Sequence, residues 1–240
     1  MTTAPLYLTA PYRKSAEARV LALTGEGGIV LDQSLFYPHG GGQPGDSGWL
    51  AWDGGRVAIA TATKAEGGAI VLIPAEPQPL PPVGAVVDQQ LDWGRRFGHM
   101  RIHTALHLLS VVIALPVTGG AVAADKGRLD FDMPEAPDDK ALLEGQLNAL
   151  ITRDLSVTES WITDAEMDAN MGLVKTMSVT PPRGAGRVRL IRIGEGAGQI
   201  DLQPCGGTHV ARTGEIGKVS LGKIEKKGRQ NRRVTILLDG

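Results

Sequence analysis

The N-terminal part of the chain is a succession of short apolar runs, residues 6–8, 20–24, 28–32, 48–52, 57–63 and 69–73, separated by Gly, Asp and Pro. Short runs bounded by turn residues at close spacing predict the strands of a small β-barrel or sandwich. Pro74, Pro77, Pro79, Pro81 and Pro82 then fall within nine residues. Proline fixes φ and has no N–H, so this stretch fits no regular helix or central strand. It marks a soft boundary over residues 74–95. Beyond it the pattern changes. Residues 99–115, rich in Leu, Ala and Ile and ended by Pro116, predict a largely buried helix. Residues 138–153 predict a second helix. Pro137 and Asp138 suit its start, and Leu143, Leu147, Leu150 and Ile151 form one apolar stripe. Residues 156–162 read as a strand and 164–171 as a short helix. Residues 187–193, 199–203, 218–224 and 233–238 read as strands, the last two joined as a hairpin through the polar turn 226–231. The expected fold class is α+β: a small N-terminal β-barrel over residues 1–92, then residues 93–240 with helices on one face of a mainly antiparallel sheet.

Composition narrows the class. The chain has 240 residues, 42% hydrophobic and 21% charged, which excludes a disordered protein. Its 32 glycines follow no three-residue period, which excludes collagen. The longest apolar run, residues 111–117, is too short to span a bilayer, so no membrane partner is expected. Residues 1–10 lack a basic segment followed by an apolar one, so no signal peptide is expected. Cys205 is the single cysteine and cannot form an internal disulfide, which makes a cytoplasmic location the default. The net charge of −1 points to no partner, but its distribution does. Residues 183–240 hold 12 Lys and Arg against 5 Asp and Glu, on an otherwise acidic chain. Such asymmetry suits a surface facing nucleic acid, or merely solvated strand faces.

Two residue pairs carry candidate metal chemistry. His103 and His107 stand four apart on the first expected helix, where four residues rise about 6 Å and return to the same face. Cys205 and His209 repeat that spacing, but Gly206 and Gly207 between them favour a tight loop. Alone, the first pair reads as core histidines and the second as an inert thiol. Together they use three of the five histidines and the one cysteine, and a His3Cys set fits tetrahedral Zn²⁺ better than Mg²⁺ or Ca²⁺. Four protein donors describe a closed structural site; a catalytic site needs an open position or a loose ligand, and spacing does not choose between them. Residues 36–48 place Gly40, Gly41 and Gly42 in a row, followed by Gln43, Gly45 and Asp46. Their exposed N–H groups suit an anion, or the loop is a barrel turn; no Gly-Lys-Ser/Thr follows, so it is no phosphate loop. Lys223, Lys226, Lys227, Arg229, Arg232 and Arg233 crowd the last hairpin, and Arg183, Arg187, Arg189 and Arg192 precede the cysteine loop. Cations on a hairpin suit salt-sensitive phosphate contacts or simple solubility.

Taken together, residues 36–48 (FYPHGGGQPGDSG), 101–109 (RIHTALHLL), 128–132 (RLDFD), 205–217 (CGGTHVARTGEIG) and 223–234 (KIEKKGRQNRRV) resemble the alanyl-tRNA editing proteins, free-standing relatives of the alanyl-tRNA synthetase editing domain. The likeness runs through nearly the whole chain, and the barrel with its Gly-rich motif suits the medium-length form. It implies a trans-editing hydrolase that removes serine, and in some members glycine, from the 3′ adenosine of alanine tRNA, with no need of ATP. It implies one Zn²⁺ on His103, His107, Cys205 and His209. It implies that Gly40, Gly41, Gly42, Gln43 and Asp46 reach toward the substrate, that Thr104, Thr208 or Gln43 meets the serine hydroxyl, and that Lys226, Lys227 and Arg229 hold the acceptor end. Thr104 and Thr208 have an alternative in bonding a ligand or the backbone. The sequence departs from the family pattern at His39, where an acidic residue is common, at Leu106, where the synthetase domain often has Thr, and near residues 119–122, which lack a Gln-containing segment. Two other readings share the zinc: a hydrolase of other small aminoacyl esters, and a non-catalytic tRNA-binding protein with a structural metal.

Overall fold

The structure, a computed structural model, describes residues 1–137, 139–174 and 186–239. Asp138 and Arg183, given roles above, lie outside the described residues. The chain divides into two compact units, Met1–Phe97 and Gly98–Gly240, so the division falls within a helix rather than at the 92/93 junction expected from the change of pattern.

The first unit opens with β1 (Ala4–Pro5), α1 (Leu6–Thr9), β2 (Ser15–Leu23), β3 (Ile29–Leu31) and β4 (Gln33–Ser34), followed by β5 (Gly48–Trp52), β6 (Gly55–Lys64), β7 (Ile70–Pro74) and β8 (Val86–Leu91). Six of these strands close a barrel in the order β2-β3-β7-β6-β5-β8, and every neighbouring pair is antiparallel. Alternation fills it: Ala16, Ala18 and Val20 of β2 point inward with Ile29, Leu31, Leu50, Val57 and Leu72. Residues 6–8 form a helical turn and not the expected strand. Pro5 precedes them, the Ala10 N–H closes on the Leu6 carbonyl, and Tyr7 turns inward edge-on to Tyr37. The closing strand β8 lies inside the stretch read as a boundary. Its Val87, Gln89 and Leu91 face the interior, and the buried Gln89 hid the apolar alternation.

The helix α2 (Trp93–Val112) begins six residues before the expected start at residue 99. Asp92 is its cap: the Asp92 carboxylate accepts from the Arg95 N–H and its carbonyl from the Arg96 N–H. Beyond Phe97 follow β9 (Val117–Val122), β10 (Lys126–Asp132), α3 (Lys140–Thr152), β11 (Val157–Thr163), α4 (Asp164–Ala169), β12 (Arg187–Ile193), β13 (Asp201–Pro204), β14 (Val219–Leu221), β15 (Glu225–Lys226) and β16 (Asn231–Leu238). The expected single sheet is two antiparallel sheets, β14-β16-β10-β9 with β15 on β16, and β11-β12-β13. The fold class is α+β, with a barrel ahead of helices and antiparallel sheets. Strands β9 and β10, absent from the pattern reading, are masked by Gly119, Gly120 and Gly127. Glycine is needed at 127, because a Cβ there would stand 2.4 Å from Ile102 of α2. The cap of α3 is Asp139, whose carboxylate accepts from the Leu142 N–H. Only Leu147 and Ile151 of the expected stripe are fully buried. Helix α3 clamps β14: Asn148 exchanges two hydrogen bonds with the Val219 backbone, and Glu144 accepts from the Leu221 N–H. The final hairpin forms as expected, with β15 and β16 paired through Glu225–Arg233 and Lys226–Arg232.

Candidate metal centre

His103 and His107 project from the middle of α2, and Cys205 and His209 come from the loop after β13. One ligand atom of each lies within 4.8 Å of all the others. Cys205 Sγ stands 3.4 Å from His103 Nε2 and 3.2 Å from His209 Nε2. Zn–S bonds of about 2.3 Å and Zn–N bonds of about 2.0 Å at tetrahedral angles require S···N separations of about 3.5 Å. The spacing and the donor chemistry therefore fit zinc. The three imidazoles are nearly fully buried, with the thiol partly so.

The side chains around the donors aim them. His107 Nδ1 lies 3.0 Å from Asp201 Oδ2, and Gln203 Nε2 donates to the same oxygen at 2.8 Å. A proton on Nδ1 satisfies that carboxylate and leaves Nε2 for a metal. His209 Nδ1 lies 3.2 Å from Thr104 Oγ1, which assigns its Nε2 to the site in the same way. The Gly207 N–H donates to Cys205 Sγ, and Arg189 donates from one Nη1 to the carbonyls of Cys205 and Gly207. Burial lowers the His107 imidazole, but the Asp201 carboxylate and Cys205 outweigh it and raise the ring to about 9. Burial pushes His209 down to about 3. Burial also pushes the Cys205 thiol up, yet the imidazoles of His103 and His209 draw it well below its ordinary value. A thiolate among imidazoles is the donor state that a borderline-soft divalent ion takes.

Several expected roles change. Thr104 is not placed to meet a substrate hydroxyl: it is fully buried, donates to the Met100 carbonyl, accepts from the Val210 N–H and touches His209. It positions a ligand. Thr208 is buried beside His209. In the first unit, Gly41 and Gly42 have φ of 57° and 80° and form a tight turn between the bridged Gly40 and Gln43. Only glycine takes two successive positive φ values cheaply. Gly41 and Gly42 are exposed, whereas Gln43 and Asp46 are buried. Asp46 is a structural anchor and not a substrate contact. Its Oδ2 accepts from Arg96 Nε and Nη2 and from the Tyr37 N–H.

The basic residues also divide. Arg189 is bound to Glu159 and the cysteine loop, so it is not a phosphate contact. Arg233 makes a two-pronged pair with Asp130, which holds that carboxyl below its usual value with help from Arg128. Lys227 pairs with Glu225 at 3.2 Å, and Lys226, Lys227 and Arg229 are exposed around the hairpin turn. Sequence reasoning missed Asp201 and Gln203. The signal was present, since residues 201 and 203 alternate along β13, the strand that runs into Cys205, and so share a face.

Among the described residues, no helix is long and apolar enough to cross a membrane. Residues 188–235 match the family model described as the threonyl and alanyl tRNA synthetase second additional domain, and residues 7–95 match that of the class II (A) tRNA synthetases. The chain is 33% identical over 250 residues to the alanyl-tRNA editing protein AlaX-M of Methanosarcina acetivorans, covering 98% of this chain and 99% of that protein. It is 34% identical over 242 residues to AlaX-M of Methanosarcina mazei, covering 97% and 95%. It is also 33% identical over 233 residues to the alanine–tRNA ligase of Pyrobaculum arsenaticum, but spans only 25% of that protein's length. The alignment with the ligase is partial, whereas those with the editing proteins run end to end, and on that ground the chain belongs to the alanyl-tRNA editing protein family.

Proposed function

We propose that the protein is a zinc-dependent deacylase that removes serine from mischarged alanine tRNA, with glycine as a second substrate to test. The observation that carries the reading is the His3Cys donor set of the second unit, in a chain that matches editing proteins along nearly its full length. A bound zinc ion would tie α2 to the cysteine loop and, with one donor loosened or a fifth position used, would supply Lewis acidity toward the ester carbonyl. The chain's own residues prepare that site. Asp201 and Gln203 hold His107, Thr104 holds His209, and Arg189 fixes the loop through two carbonyls. Hydrolysis consumes water and no ATP. The exposed Lys226, Lys227 and Arg229 meet phosphates of the acceptor end. One cysteine, committed to a metal, suits a reducing cytoplasm.

Selection of serine over the smaller alanine cannot be steric. A pocket must use the serine hydroxyl to align the ester, and such a site penalises an analogue lacking that group strongly. Thr208 and Gln43 are the candidates for its partner. The test is the hydrolysis rate of Ser-tRNA(Ala), Gly-tRNA(Ala) and Ala-tRNA(Ala), with and without zinc chelation and with Cys205→Ala. The expected result is rapid loss of serine, survival of alanine, and loss of both metal and activity in the variant. Survival of all three esters at full zinc content, with tRNA still bound, would instead make the metal structural and the protein a tRNA-binding module.

A further inference from the structure

The register of the three-stranded sheet places one more residue on the face that carries the supports of the metal centre. Glu159 faces Ile191, Trp161 faces Arg189 and Thr163 faces Arg187 across β11 and β12, while Ile191 faces Gln203 and Ile193 faces Asp201 across β12 and β13. Directly opposed residues of antiparallel strands share a face, so these residues form one surface. Its β13 end is buried and holds His107 through Asp201 and Gln203. Its centre holds the cysteine loop through Arg189. Its β11 end opens to solvent at Trp161, which is 46% exposed. The opposite face of the sheet packs Val188 and Leu190 against Met167 of α4 and accounts for the sheet's own apolar needs. Trp161 lies on the other face: nearly half of a large indole meets solvent, one cross-strand step from the arginine that bonds the Cys205 carbonyl.

We propose that Trp161 is the stacking surface for the base of the substrate's 3′-terminal nucleoside. The inference rests on the reading of the substrate as an aminoacyl ester of RNA. The ester that reacts at the metal is carried by a ribose, so the attached base is held by covalent geometry within a few ångströms of it. The Cys205 N–H bonds the Arg189 carbonyl, so Trp161 lies two cross-strand steps, about 10 Å, from the cysteine, a span that a ribose and its base bridge. Arg187, exposed and diagonal to Trp161 on the same face, adds positive charge for the adjoining phosphate. Indole offers a base its π-face, and base–aromatic contacts are a sequence-tolerant source of affinity for unpaired nucleotides. A peptide partner is not favoured, since no bonded substrate atom would bring it to this edge.

The experiment uses the zinc-loaded full chain and seryl-tRNA(Ala) ending either in adenosine or in an abasic ribose. Trp161→Ala is expected to raise KM for the normal substrate about 5- to 150-fold with little change in kcat, the range of one stacked base. Trp161→Phe is expected to recover much of the loss. Removal of the base should cost the wild type the same factor and cost Trp161→Ala nothing further. Wild-type hydrolysis that is indifferent to the base overturns the proposal without any variant. So does a KM penalty in Trp161→Ala that persists in full on the abasic substrate. Failure of the wild type to cleave seryl-tRNA(Ala) at all overturns the functional reading itself, a distinct outcome from either.

Discussion

Asp201 is buried against His107 and Gln203. A carboxylate so placed makes the imidazole a better and better-aimed donor. Asp201→Asn is expected to weaken zinc binding about 10- to 100-fold while leaving all four donors in place. Competition with a chelator of known affinity reads that out, and an unchanged affinity would leave Asp201 a packing residue. Thr208 lies next to a donor and is one candidate partner for the serine hydroxyl. Thr208→Val keeps the shape and removes the hydroxyl, and should narrow the ratio of seryl to alanyl hydrolysis. Equal preservation of both rates would move the hydroxyl partner elsewhere, with Gln43 the remaining candidate.

The Gly-rich segment is held from below by an ion pair. Arg96 of α2 is 1% exposed and reaches Asp46 with two nitrogens, the Leu35 carbonyl with one of them, and the Pro11 carbonyl. Removing one member of a buried pair strands the other charge, so Asp46→Asn or Arg96→Met should cost about 3–5 kcal/mol in urea unfolding of the first unit. A loss under about 1 kcal/mol would show that water reaches the site. This pair also shows where the sequence was legible. Strands β5, β6, β7 and β12 and the hairpin were visible because apolar alternation or Gly and Pro punctuation marks them. The donors were visible because the two spaced pairs together use three of the five histidines and the one cysteine, and because their motifs carry the family resemblance. Strand β8 was not, because Asp88, Gln89 and Gln90 break its pattern, and Gln89 is buried through bonds to Leu35 and Gln33 rather than by apolarity. The early start of α2 was missed because it rests on one cap, Asp92, in a stretch that also holds the end of a strand. Asp46 looked like a ligand contact because a buried partner fifty residues away does not show in local pattern.

Across the whole chain, the charge imbalance turns out to be smaller in effect than its count. Arg189, Arg212 and Arg233 spend their charge on Glu159, Asp154 and Asp130. Of the cations exposed at the final hairpin, Lys223, Lys226, Lys227 and Arg229, the last three flank its turn. Each phosphate they neutralise contributes roughly 0.7–0.9 to the slope of log KM against log salt. Replacing all three with Ala should raise KM and flatten that slope by about 2, and an unchanged slope would put the RNA on another face. The donors of the metal centre, for their part, lie far apart in the chain: Cys205 and His103 are separated by 102 residues. Closing so long a loop is slow and comes late among folding events. A chain that stops short of residue 205 carries only the helix pair, and two imidazoles do not retain an ion as four donors do. Metal retention would therefore report on assembly: only a chain that has brought α2 against the cysteine loop would hold an ion on all four donors. Misassembled copies would stay metal-free, which a metal assay on refolded protein reads directly.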